Sequence, residues 1–238
     1  MNQIKVSEKD KSIQPLREKN PKFKRFIAQI VKMNPKILQT LKSISSKINP
    51  MAVFDGDESI SQTCLMLKSR LPHILTGQSD ADDYHNTMLG ILTVLFYPKI
   101  IQPHKEWEIN DGRKRIDIVF TNSADEGFFA HRRDGNNTQS NSVIVECKNY
   151  TNDICNPEVD QLIGRFDINR GKFGIITCRE IEDEDKLLSR LRDAAKSQQG
   201  FIIALTDSDI VQLLDFKSVM DDPAIEEFLH NKFRDLIA

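Results

Sequence analysis

Two short apolar segments of this chain carry charged side chains where a buried strand normally carries hydrophobic ones. Residues 115–120 contain Asp117, and residues 143–148 contain Glu146 and Lys148. Successive side chains of a strand point to opposite faces, so Glu146 and Lys148 share one face. A structural salt bridge is a weak explanation, because desolvation of a buried ion pair can exceed its attraction. The segments therefore predict neighbouring strands on which two carboxylates and an ammonium converge.

Such a group of side chains is suited to magnesium chemistry. Mg²⁺ prefers oxygen ligands and is usually held by one or two carboxylates, with water and substrate phosphate completing its octahedron. A bound divalent ion lowers the pKa of its water, and a nearby ammonium stabilises the resulting hydroxide. Asp117, Glu146 and Lys148 thus predict hydrolysis of phosphodiester bonds.

The composition excludes several other classes of protein. The four cysteines, Cys64, Cys147, Cys155 and Cys178, lack CxxC or Cys/His spacing and are typical of reduced cytosolic thiols rather than a disulfide framework or zinc site. No apolar run approaches the roughly 18 residues that a membrane span requires, and the polar N-terminus carries no apolar signal segment. We therefore expect a cytoplasmic protein of 238 residues with no membrane partner.

The charge of the chain is concentrated at one end. Residues 1–50 carry twelve Lys and Arg against three Asp and Glu, about +9, whereas the remainder has 21 basic and 32 acidic residues, about −11. Apolar residues at helical spacing over 21–48 predict two short basic helices. We therefore divide the chain into a basic helical N-terminal extension, 1–75, and a nuclease-like domain, 76–238. The extension is expected to contact a polyanion, or to form a homodimer or bind a partner protein through its helices.

Hydrophobic periodicity predicts an α/β fold with a mixed central sheet flanked by helices. Residues 123–142 are predicted to form a long loop, because they are polar and contain Gly and Asn, with or without short structure of its own around the apolar pair Phe128-Phe129. The predicted helices cover residues 61–70, 80–96, 157–166, 184–197, 208–216 and 223–236. The predicted strands cover residues 105–109, 113–121, 143–148, 172–178 and 201–206, the first two joined by a hairpin turn at Asn110-Asp111-Gly112.

The chain contains Asp117 and, after 28 intervening residues, Glu146-Cys147-Lys148, within predicted elements in the order α-β-β-β-α-β. This pattern resembles the PD-(D/E)XK nuclease superfamily, in particular its restriction-endonuclease-like, Mrr-type branch. The resemblance covers roughly residues 80–206 and implies a restriction-endonuclease-like core. It implies that Asp117, Glu146 and the backbone carbonyl of Cys147 hold Mg²⁺, or Mn²⁺ as a substitute, and that Lys148 is the catalytic lysine. It also implies a role in prokaryotic DNA restriction, anti-phage defence or repair.

The helices on either side of these strands carry further candidates. In that family an acidic residue on the preceding helix often completes the metal site, and its place here falls near His85. Either Asp82 or Asp83 substitutes for it, or His85 itself contributes. Gln161 and Arg165 lie four residues apart on the following predicted helix, which resembles a glutamine motif of some nucleases with arginine in place of tyrosine. An arginine there would grip a phosphate.

Arg113, Lys114 and Arg115 immediately precede Asp117 and are expected to contact phosphates. The sequence therefore predicts a Mg²⁺-dependent endonuclease acting on DNA. RNA remains an alternative substrate. Two rival hypotheses are a catalytically silent nucleic-acid-binding subunit on the same fold, and a nuclease that stays inactive until a partner or ligand docks, with residues 123–142 as the gate.

Overall fold

The structure is a computed structural model that describes residues 57–150, 154 and 156–238. The two basic helices predicted over residues 21–48, and the polyanion, homodimer or partner contacts expected of them, lie outside these residues. The described helices are α1 (Asp57–Arg70), α2 (Ala81–Phe96), α3 (Gly127–Asp134), α4 (Asn156–Ile163), α5 (Glu184–Lys196), α6 (Asp207–Ser218) and α7 (Asp222–Ile237). The strands are β1 (Ile100–Ile109), β2 (Lys114–Asn122), β3 (Ser142–Lys148), β4 (Phe173–Cys178) and β5 (Phe201–Thr206), and short 3-10 turns cover Leu71–His73 and Gln78–Asp80.

The five strands form one mixed sheet in the order β1-β2-β3-β4-β5. Strands β1, β2 and β3 pair antiparallel, whereas β3, β4 and β5 pair parallel. Parallel neighbours require crossover connections, which α4 and α5 provide. Strand β4 is buried along its whole length, as expected for a parallel strand with both faces covered. The predicted α/β fold with a mixed sheet flanked by helices is therefore confirmed.

Two groups of helices pack against this sheet. Helix α2 contacts β1, β2 and β3, while α5 and α7 contact each other and β5. Helix α1 packs against α6, where Cys64 is buried and Lys68 Nζ lies 2.7 Å from Asp215 Oδ1. Residues 57–75, which the sequence analysis assigned to the N-terminal extension, therefore pack on the body of the domain.

The segment that links β2 to β3 is a loop that contains one short helix. Helix α3 lies within it, and Phe128 and Phe129 of this helix are fully buried. The side-chain amide of Asn122 donates to the carbonyls of Phe129, at 2.8 Å, and of Ser140, at 3.0 Å. An eight-residue helix is too short to show a clear period in sequence, and tertiary contacts stabilise it. The short structure that the prediction left open is therefore this helix, Gly127–Asp134.

Strand β1 begins five residues before its predicted start. Its pairing with β2 is irregular between Ile101 and His104, and Gln102 there has a φ of 52°. Gln102 is polar and Pro103 cannot donate to a strand ladder, so the sequence at these positions does not indicate a strand. The irregularity is a β-bulge, a common device on an edge strand.

None of the helices in the described ranges combines the length and apolar character that crossing a bilayer requires. Cys64, Cys147 and Cys178 are buried free thiols. Cys155 lies outside the described residues.

Candidate active site

Strands β2 and β3 separate at the point where the two predicted carboxylates lie. Their last paired residues toward this point are Ile118 and Val145, and beyond them β2 stays paired with β1 while β3 stays paired with β4. The main-chain N–H of Cys147 lies past the end of the shared ladder and donates to Asp117 Oδ2 at 2.9 Å. The Asp117 carboxylate thus substitutes for a ladder carbonyl. We call this opening the fork.

Glu146 is fully buried at the fork and has two cationic neighbours. Its Oε2 accepts a hydrogen bond from Gln161 Nε2 at 2.9 Å and lies 3.5 Å from Lys148 Nζ. Its Oε1 lies 3.5 Å from Arg165 Nε, yet accepts no hydrogen bond from any residue that the structure describes. The side chain of Glu146 also lies within hydrogen-bonding reach of Asp117, so the two acids share a proton in the metal-free protein, and a bound cation would take the place of that proton.

Lys148 is held by two oxygens, one on its own strand and one on α4. Its Nζ donates to Gln161 Oε1 at 2.9 Å and to Glu146 Oε2 at 3.5 Å. Gln161 therefore bridges the carboxylate and the ammonium with the two ends of its amide. An ammonium has three donors, so these contacts leave capacity for a water or phosphate oxygen.

The environment of the fork disfavours simultaneous ionisation of Asp117 and Glu146. Burial, and secondly the nearby Asp117 carboxylate, raise the pKa of Glu146 to about 7, whereas Lys148 and Arg165 act in the opposite direction. Like charges at close range disfavour joint ionisation. A cation bound between the two carboxylates would relieve this repulsion.

His85 of α2 also lies at the fork. Its Nε2 is 3.2 Å from the Cys147 carbonyl oxygen and 3.8 Å from Asp117 Oδ2. The Cys147 thiol, an Asp117 oxygen and a His85 ring nitrogen lie within 4.8 Å of one another. Burial raises the pKa of the Cys147 thiol well above its ordinary value, so the thiol is protonated in the metal-free protein. The carbonyl of Cys147 and the carboxylate of Asp117 are the hard oxygen donors on this side.

The structure does not bring Asp83 to the fork. Successive residues of a helix are 100° apart, so Asp83 and His85 point to nearly opposite sides of α2. Asp83 pairs with Arg70, and Asp82 pairs with Lys105. Asp82 and Asp83 therefore point away from the fork, and His85 is the one of the three candidates that lies at it; its part in a metal site stays a prediction.

The three predicted phosphate-binding arginines occupy different environments. Arg165 follows the end of α4 at Ile163 rather than lying on the helix, and its side chain is mostly buried beside Glu146. Arg113 and Arg115 are exposed at the β1–β2 hairpin, 3.5 Å from Asp111 and 3.8 Å from Glu106, respectively. Arg165 thus belongs to the fork, while the hairpin arginines stay predicted phosphate contacts on an open surface.

Sequence analysis missed a polar network behind the fork. Asn149, Arg179 and Asp207 are the first residues after β3, β4 and β5. Arg179 contacts Asn149 Oδ1 at 3.3 Å and Asp207 Oδ2 at 2.9 Å, and Tyr84 of α2 donates to Asp207 Oδ1 at 3.1 Å. Burial raises the pKa of Asp207 to about 6, against the influence of Arg179. The carboxyl edge of parallel strands was the available signal, because polar residues there meet at one edge of the sheet.

Comparisons with protein-family models, with curated proteins and with solved structures find no match to this chain. Functional inference therefore depends on the geometry of the fork.

Proposed function

We propose that this protein is a Mg²⁺-dependent nuclease that hydrolyses phosphodiester bonds in DNA, as an endonuclease of prokaryotic restriction, anti-phage defence or repair. One observation carries the proposal. At the fork, Asp117 and Glu146 face a common space beside Lys148, and Glu146 Oε1 is buried without a hydrogen-bond donor among the described residues. This combination of paired carboxylates and an adjacent ammonium is suited to metal-assisted attack on a phosphate.

The residues at the fork fit a hard divalent cation. Asp117 and Glu146 supply carboxylate oxygens, and Cys147 supplies its main-chain carbonyl. These three oxygen donors favour Mg²⁺, and Mn²⁺, which also accepts the nitrogen of His85, is the natural substitute.

Mg²⁺ held by these oxygens would lower the pKa of a bound water and neutralise charge at the scissile phosphate. Lys148 would donate to the attacking water and stabilise the negative charge that develops on it. Gln161 holds Lys148 in place through its Oε1, 2.9 Å from Nζ. Arg165 supplies a second positive charge, which would turn from Glu146 to a phosphate oxygen of the substrate.

The arrangement of elements around the fork supports a restriction-endonuclease-like core. Helix α2 precedes three antiparallel strands, and α4 then crosses over to the parallel strand β4. The hairpin arginines Arg113 and Arg115 would extend the contact along the nucleic-acid backbone. We place the protein in the cytoplasm, where buried free thiols such as Cys64 and Cys178 remain reduced.

The decisive experiment is a cleavage assay on supercoiled plasmid, linear single-stranded DNA and RNA, each with EDTA, Mg²⁺ or Mn²⁺. We expect metal-dependent nicking or linearisation of the plasmid by the wild-type protein. Asp117→Asn and Lys148→Ala should each lower the rate at least about a hundredfold, because the first removes a carboxylate that would hold the metal and the second removes a positive charge beside the attacking water. Lys186→Ala, on the exposed surface of α5, is the matched control and should cleave normally.

The outcomes separate the proposal from its rivals. Cleavage of RNA alone would replace the DNA substrate with RNA. Nucleic-acid binding without cleavage under any metal condition would favour a silent binding subunit and refute the enzymatic proposal. Wild-type cleavage by Lys148→Ala would remove the fork from the mechanism.

A further inference from the structure

A second cavity lies at the other end of the parallel strands. Its volume is about 450 Å³, and it is bounded by α3, the end of α5, the start of β5 and α7. The fork lies at the carboxyl end of β3, whereas this cavity reaches Phe201, the first residue of β5. Pockets of this size commonly hold small organic molecules. The cavity is therefore spatially separate from the proposed active site.

Arg132 gives this cavity an uncompensated positive charge. Its guanidinium carbon lies 3.6 Å from the centre of the Phe233 ring and 5.4 Å from that of Phe128. Its Nε is buried and finds no acceptor among the residues that the structure describes. None of the described residues that line the cavity is Asp or Glu. Because Arg132 and Lys196 line the cavity and no described acidic residue does, an anionic group in the cavity would be attracted to the Arg132 guanidinium.

The remaining lining combines apolar and polar groups. Phe201, Phe233 and Leu236 form an apolar surface, and Asn136, Asn137 and Lys196 add polar and basic groups. We infer that the cavity binds a small organic anion, a carboxylate or phosphate monoester attached to an apolar ring or chain, with its charged group on Arg132. The apolar part would cover the phenyl rings, and the amides would orient the anionic oxygens.

This inference is independent of the nuclease proposal, because no residue of the fork lines the cavity. The competing explanation is purely structural. Stacking of Arg132 on Phe233 stabilises the packing of α3 against α7 without any ligand. The inferred site predicts binding of probes that carry both a negative charge and an apolar group, whereas the structural explanation predicts no such requirement.

The test is isothermal titration of the full chain with benzoate and with phenyl phosphate, in parallel with benzyl alcohol and inorganic phosphate. We expect benzoate, phenyl phosphate or both to bind, and the two controls to bind at least about tenfold more weakly. The stronger of the two anions identifies carboxylate or phosphate as the natural group. Chemical-shift changes in a two-dimensional ¹H–¹⁵N spectrum should localise the bound probe at residues of α3 and α7.

Two variants test the role of Arg132 itself. Arg132→Met keeps the apolar stem and should weaken binding of the anions at least about tenfold. Arg133→Met, on the same helix, is the matched control, since Arg133 pairs with Asp134 and does not line the cavity. Equal binding of benzyl alcohol, unchanged anion binding by Arg132→Met, or no localised shifts in the wild-type spectrum would each overturn the inference. The wild-type spectrum decides the question even if Arg132→Met fails to fold.

Discussion

Replacing Glu146 by Gln should stabilise the metal-free protein by an amount that grows with pH. Burial and then Asp117 raise the pKa of Glu146 from an ordinary 4.5 to about 7 in the folded protein. A folded pKa above the unfolded one means that the protonated form favours folding. This contribution is complete below pH 4.5 and is lost as the pH rises through about 7. Gln does not ionise, so the variant does not lose stability in this way.

The size of the effect follows from the two pKa values. One pKa unit corresponds to about 1.4 kcal/mol, so the free energy of unfolding of the wild type should fall by about 2 to 3 kcal/mol relative to the variant between pH 5 and 8. For a chain of this size, that corresponds to roughly 5 to 10 °C in Tm. The variant also loses the attraction of Lys148 and Arg165, so the test compares the change between the two pH values rather than the difference at one.

Thermal melting followed by circular dichroism in EDTA at pH 5 and pH 8 measures how the Tm difference between the wild type and Glu146→Gln changes with pH. Glu108→Gln, at an exposed glutamate of β1, is the control and should melt like the wild type at both pH values. Adding Mg²⁺ at pH 8 should raise the Tm of the wild type, because a ligand of the folded state stabilises it. The Tm of Glu146→Gln should respond much less.

Two results would contradict this reasoning. A Tm difference between wild type and Glu146→Gln that is the same at pH 5 and pH 8 would show that Glu146 is not held as a buried, titrating acid. Equal stabilisation of both proteins by Mg²⁺ would show that the ion binds away from the fork.

Three further substitutions, the last with a control variant, test other parts of the structure. Arg165→Ala should weaken DNA binding similarly across sequences and reduce the slope of log K against log salt concentration by about one. Fluorescence titration at several salt concentrations measures this slope, and an unchanged slope would exclude a phosphate contact. Lys148→Met should abolish cleavage. In calorimetry it should bind Mg²⁺ at least severalfold more tightly than the wild type, because the substitution removes a positive charge beside the carboxylates. Weaker Mg²⁺ binding would instead indicate that Lys148 supports the site structurally. Gly171→Ala should lower the free energy of unfolding by about 2 to 4 kcal/mol in urea titration, because Gly171 has a φ of +95° and a Cβ there would lie 2.3 Å from Ser140 Cα. Gly77→Ala, with a similar φ but open space around it, should cost only about 1 kcal/mol, and equal losses would exclude the close contact as the cause.

The sequence predicted most of the sheet because its strands follow simple rules. Strand β5 has the predicted bounds, since a short apolar run between turn residues is typical of a buried parallel strand. The β1–β2 hairpin has Asn110, Asp111 and Gly112 at positive φ, the conformation that these residue types tolerate best. Helix α3 was missed because its stability comes from contacts with residues distant in sequence, which local periodicity does not report.

The candidate site was predictable in its residues but not in its geometry. Strand alternation placed Asp117, Glu146 and Lys148 together, and the structure brings them to one fork. The separation of β2 from β3 depends on where the pairing of these two strands stops, which no local pattern encodes. The hydrogen bond from the Cys147 N–H to Asp117 depends on the same point. The choice between Asp83 and His85 required the rotation of α2 about its axis, which packing fixes.

The charges of the fork suggest why lysine and arginine both face Glu146. In the metal-free protein, Lys148 and Arg165 lie 3.5 Å from the two oxygens of this buried carboxylate and lower the cost of its ionisation. A divalent cation on the same oxygens would take over that role and repel both side chains. Repulsion would direct the two positive groups away from Glu146, toward the position of a phosphate that carries negative charge. The same two residues would thus stabilise the fork before metal binding and contact the substrate after it.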